Sequence, residues 1–114
     1  MSVDEQLRVV VADDSDLFRG LLVAALGSAG LDVIGEAPNA DGALELVATY
    51  DVDVVILDVR MPPTHTDEGI RAAQTIRQLH PDVGVMLLSQ YVETAMAAQL
   101  LESCQSAIGY LLKD

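Results

Sequence analysis

Val54-Val55-Ile56-Leu57-Asp58 is a run of four branched apolar residues closed by a carboxylate. It is too short for a buried helix and suits a central strand of a parallel sheet covered on both faces. In open parallel sheets ligands bind beyond the carboxyl ends of the strands, so Asp58 stands where chemistry is expected. The first apolar strand, Leu7 to Ala12, ends in the same way on Asp13-Asp14. The last, Ile108 to Leu112, ends on Lys113, the only lysine in the chain.

Between these strands the apolar period switches from two to 3.6 and back. Leu17, Leu21, Leu22, Ala25, Leu26 and Ala29 mark a helix face, with Ser15 or Asp16 to cap it and Gly30 to stop it. Leu31 to Ala37 is a second strand. Asn39 then caps a helix that turns Ala43, Leu44 and Val47 inward and ends near Tyr50. After the central strand come the loop Met61-Pro62-Pro63-Thr64-His65-Thr66 and a helix with Ile70, Ala73, Ile76 and Leu79 inward, stopped before Pro81. Val83 to Ser89 is a fourth strand, Glu93 to about Glu102 an Ala-rich helix, and Ala107 to Lys113 the fifth strand. Strict alternation with short connections predicts right-handed crossovers and an α/β, doubly wound, five-stranded parallel sheet in the order 2-1-3-4-5, with strand 1 beside strand 3.

A length of 114 residues, 51% of them hydrophobic, predicts one domain with a real core. Aromatics are 4% with no Trp, so that core is built from Val, Leu, Ile and Ala. Eighteen acidic against six basic residues leave a net charge of −12. That charge repels phosphate backbones and anionic lipid heads, so neither nucleic acid nor membrane is an expected partner of this domain. No basic flank or signal-length apolar run begins the chain, and no window approaches the ~18 apolar residues of a membrane span. A cytoplasmic location is expected, and the single cysteine, Cys104, fits a reducing compartment as a small packing residue.

Adjacent parallel strands lie about 4.8 Å apart, so Asp13, Asp14 and Asp58 should crowd into one cleft. Three carboxylates that close stay ionised together only if a cation offsets them. A hard divalent ion such as Mg²⁺ takes one or two carboxylates, keeps water on its other positions and awaits phosphate oxygens. With Lys113 as a second positive charge, the cluster suits a carboxylate that receives a phosphoryl group, and Asp58 is the candidate nucleophile.

These residues, with Met61-Pro62 after Asp58, Ser89 after strand 4 and Gly109-Tyr110-Leu111-Leu112-Lys113 at strand 5, resemble the receiver domain of bacterial two-component response regulators along the whole chain. The ending Gly-Tyr-Leu-Leu-Lys-Asp is most similar to the LuxR/NarL-type regulators. The resemblance implies a flavodoxin-like fold and a signalling switch, not an enzyme beyond its own phosphoryl transfer and dephosphorylation. Asp58 would be the phosphoacceptor, fed by a histidine kinase. Asp14, Asp58 and the Arg60 main-chain carbonyl would hold Mg²⁺, with Asp13 acting mainly through water. Lys113 and Ser89 would take phosphoryl oxygens, and Ser89 and Tyr110 would form the switch that controls an output, transcription through a DNA-binding domain not present here.

The segment Pro63 to Glu68 is a few residues longer than the family pattern, and His65 and His80 are read as surface residues. The chain also ends where the family continues into a fifth helix. A receiver over residues 1–114 truncated after strand 5 would leave Val54, Ile56, Met86, Leu88 and Leu111, or their alternating neighbours, to be covered by another segment or by a second copy in a homodimer. Two other readings fit the residues less well. A flavin carrier on the same fold would need a phosphate cradle where the acidic Asp13-Asp14-Ser15-Asp16 stands, and a receiver-like module that has lost phosphorylation would not keep the full acidic set.

Overall fold

A computed structural model of the chain describes residues 6–89 and the strand Ile108–Leu112, with Ser89 and that last strand described as backbone alone. The elements run β1 (Arg8–Ala12), α1 (Asp16–Ser28), β2 (Asp32–Ala37), α2 (Ala40–Thr49), β3 (Val54–Asp58), α3 (Glu68–Leu79), β4 (Gly84–Ser89) and β5 (Ile108–Leu112). All pairings are parallel, and the sheet order is β2-β1-β3-β4-β5, as the alternation predicts. The Ala-rich helix expected over Glu93–Glu102 lies outside the described residues.

Side chains alternate across a strand, so each strand supplies both layers of the core. Val10, Ala12, Val55, Leu57, Val85 and Leu87 point to one face, where they pack with Ala43 and Val47 of α2 and Ile70, Ala73 and Ile76 of α3. Val9, Val11, Ile56 and Leu88 point to the other, packed by Phe18, Leu22, Val23 and Leu26 of α1. The strand pattern without polar interruption, read from Val54 to Leu57, is the consequence of this two-sided cover.

The helix ends follow local chemistry. Ser15 Oγ accepts from Phe18 N at 3.2 Å, and Asn39 Oδ1 accepts from Gly42 N at 2.8 Å. At the end of α1, Leu31 N donates to Leu26 O and Gly30 N to Gly27 O, with Gly30 at φ 91. This double closure needs a left-handed residue, and only glycine adopts that conformation without strain.

Three expectations about facing are corrected. Leu17 and Leu21 are exposed, and the stripe on the sheet is Phe18, Leu22 and Leu26, one residue later. Two apolar stripes compete in this helix, and the second is the one packed on the sheet. Leu79, at the last turn of α3, is exposed, and Ala72 is buried instead. Of the residues expected to lie bare over strands 3 and 4, Met86 is exposed, but Ile56 and Leu88 are buried in the α1-side cluster.

Candidate functional site

The register pairs Ala12 with Leu57, so the residues that follow, Asp13 and Asp58, leave the sheet side by side. One carboxylate oxygen from each of Asp13, Asp14 and Asp58 lies within 4.8 Å of the others. Asp13 is 0% and Asp58 4% exposed, whereas the Asp14 side chain is 32% exposed at the mouth. Two acids are thus buried at the end of the central strands and the third opens to solvent.

The turn that carries Asp13 and Asp14 is held from three sides. Asp13 N donates to Ala37 O at 3.0 Å, and Asp13 Oδ1 accepts from Ser15 N at 2.9 Å. Arg19 reaches back from α1: Nη1 donates to the Asp13 carbonyl at 2.5 Å, Nη2 to Asp16 at 2.6 Å, and Nε to Glu36 of β2 at 3.2 Å. Hydrogen bonding to Asp16, and after it to Glu36, raises the guanidinium pKa against the opposing effect of burial. The fork matches the spacing of these acceptors, which a lysine would not.

Beyond Asp58 the backbone is packed without slack. Val59 N donates to Leu88 O at 3.0 Å, and Gly69 N, in the first turn of α3, donates to Val59 O at 2.9 Å. A Cβ on Gly69 would stand 1.9 Å from the Asp58 carbonyl oxygen.

The long loop between them folds around Glu68. Its carboxylate accepts from the Thr64 hydroxyl, from Thr64 N at 2.9 Å and from Thr66 N at 2.9 Å. The Thr64 hydroxyl first, then the Thr66 and Thr64 amides, hold the Glu68 pKa down to about 2 from an ordinary 4.5, against the opposing effect of burial. A depressed folded value means that the stabilisation is fully present above about pH 4.5 and is lost as pH falls through about 2. Glu68→Gln is therefore expected to be less stable than wild type near neutral pH, with the difference closing over that window. Urea midpoints of both proteins along the pH scale check this, and a gap independent of pH would contradict it.

Within this loop His65 N donates to Met61 O at 2.9 Å, and His65 Nε2 stands 2.9 Å from Asp14 Oδ2. His65, read from the sequence as a surface residue, is half exposed but bonded to the acidic cluster. Nothing local marked it, because its partner lies 51 positions away. Glu68 did carry a signal: an acid at a helix start, two and four residues after threonines.

Of the residues expected at the site, the structure brings Asp13, Asp14 and Asp58 together. Arg60 is exposed two residues past Asp58. Ser89 ends β4, paired with Leu112 in the register. The Ser89 and Tyr110 side chains and Lys113 lie outside the described residues. The cluster fits a hard divalent cation by its chemistry, since every donor is a carboxylate oxygen and two of the three are withdrawn from water. A groove of about 650 Å³ between α2 and α3 is lined by Thr64 and Glu68 but by none of the three acids. No helix among the described residues is long and apolar enough to cross a membrane.

Residues 9–114 match the response regulator receiver domain family. The chain is 41% identical over 111 residues to "Probable transcriptional regulatory protein NarL" of Mycobacterium tuberculosis, covering 96% of this chain and 49% of that protein. It is 34% identical over 109 residues to "Transcriptional regulatory protein LnrK" of Bacillus subtilis, covering 95% and 47%. It therefore spans about half the length of these curated relatives. The solved signal receiver domain of NarL from Mycobacterium tuberculosis superposes with a TM-score of 0.82 at 41% identity, over 96% of this chain and 86% of that one.

Proposed function

The chain belongs to the response regulator receiver domain family, and from that premise we propose that it is a switch whose phosphoacceptor is Asp58. A histidine kinase is the donor, Mg²⁺ is the cofactor, and the output is transcription, exerted through a DNA-binding segment outside these 114 residues. In this reading it works in the cytoplasm and catalyses only its own phosphorylation and dephosphorylation. The observation that carries this reading is the buried Asp58 at the end of the central strand, with Asp13 and Asp14 within 4.8 Å.

A carboxylate oxygen of Asp58 forms the new bond to phosphorus while the bond from phosphorus to the kinase's histidine nitrogen breaks. Asp13, Asp14, Asp58 and the Arg60 carbonyl are the groups that would hold Mg²⁺, which when bound neutralises charge on the acids and on the incoming phosphoryl oxygens. Gly69 lets α3 pack directly against the Asp58 carbonyl, where any side chain would clash. Lys113 and Ser89 take phosphoryl oxygens in this reading, and Tyr110 follows Ser89 as the bistable element.

Two outcomes are expected. Mg²⁺ at a hundredfold excess over its Kd should stabilise the chain by about 2.7 kcal/mol relative to chelator, and equal melting temperatures would contradict the site. With acetyl phosphate and Mg²⁺, the intact mass should rise by one phosphoryl group in wild type and not in Asp58→Asn. The same gain in the variant would contradict the assignment.

A further inference from the structure

We propose that His65 is a positioning residue of this site, donating from Nε2 to Asp14 and so holding the Asp14 carboxylate in the orientation that leaves its other oxygen to a divalent ion. This rests on the divalent-ion reading above.

The three acids are not held alike. Asp13 and Asp58 are fixed by burial, and Asp13 also by the Ser15 amide. Asp14 stands at the mouth, and among the described residues His65 is the side chain hydrogen-bonded to it, at 2.9 Å. A carboxylate can only accept, so the contact requires the proton on Nε2. Metal-binding carboxylates owe their orientation to such outer hydrogen bonds.

The loop is built to deliver that imidazole. His65 adopts φ 55, a left-handed conformation uncommon for any residue with a side chain, and such strain persists only where the surroundings enforce it. Here they do: the His65 amide is bonded to Met61 O, and Glu68 ties down the amides of Thr64 and Thr66 on either side. The added length of the 63–68 segment thus places a ring nitrogen at the acidic mouth instead of forming a free surface excursion.

The test is Mn²⁺ and Mg²⁺ binding by calorimetry, with electron paramagnetic resonance of the Mn²⁺ complex, on the full chain as wild type, His65→Ala and His65→Gln. Loss of an outer-shell partner typically costs about 10–100-fold in metal affinity, and the half-exposed His65 places the expected loss for His65→Ala near about tenfold. Gln, which keeps an Nε2 donor, should recover most of it, and all three proteins should melt alike in chelator. His65→Ala binding within about twofold of wild type, or more tightly, would overturn the proposal. So would a fall in the chelator melting temperature shared by both variants, which marks a structural role, or nitrogen coupling to Mn²⁺, which marks a direct ligand. If wild type binds neither ion, the divalent-ion reading falls and this proposal with it; if wild type binds and only the His65 comparison is flat, this proposal alone falls.

Discussion

Gly69→Ala is expected to cost about 3 kcal/mol or more and to weaken divalent-ion binding at the same time. The added methyl would lie 1.9 Å from the Asp58 carbonyl oxygen, 2.7 Å from its carbon and 2.9 Å from Val59 Cα. All three are main-chain atoms, so no side chain can swing aside to relieve the contact. The Gly69 amide is also bonded to Val59 O, so withdrawing α3 breaks a buried hydrogen bond. The strand end that gives way is the one that presents Asp58, which couples the stability loss to the site. Denaturant unfolding and an Mg²⁺ titration on the variant check both effects. A variant as stable as wild type with unchanged ion affinity would mean that α3 does not press on β3 in this way.

Leu57→Ala should cost a similar amount and leave the site's chemistry in place. Leu57 is fully buried on β3, between Ala12 of β1 and Leu87 of β4, in the cluster under α2 and α3. Removing its side chain there opens a cavity worth about 3 kcal/mol, which for a domain of this size lowers Tm by about 12 °C. At a temperature where the variant remains folded, Asp58 should still accept a phosphoryl group. The pair of substitutions therefore separates support of the fold from support of the site, because Gly69 packs against the Asp58 carbonyl whereas the Leu57 side chain lies in the cluster under α2 and α3. Loss of phosphorylation in folded Leu57→Ala would show that core packing and acceptor geometry are not separable.

Legibility of this chain in its sequence follows the range of the interactions. The sheet order, the Asn39 cap, a cap at Ser15 or Asp16, and the convergence of Asp13, Asp14 and Asp58 were readable because strand alternation and helix starts are encoded over a few residues, and parallel topology does the rest. The face of α1 was readable only in part: Leu22 and Leu26 are inward as expected, but Leu17 and Leu21 are equally apolar and only the docked helix sets them outside. The pairing of His65 with Asp14 was not readable either. It depends on how a loop folds around Glu68, and no periodicity reports that. The expected roles of Ser89 and Tyr110 rest on family resemblance, and that of Lys113 also on its place at the end of the fifth strand; those side chains lie outside the described residues.

The central claim is that Asp58, among three neighbouring acids, is the one that takes the phosphoryl group. Borohydride reduction of the phosphorylated chain converts an acyl phosphate on aspartate to an alcohol, and peptide mapping then locates the altered residue. The expected result is conversion at Asp58 alone, in Mg²⁺ and not in chelator. Conversion at Asp13 or Asp14, or none after phosphorylation in Mg²⁺, would contradict it.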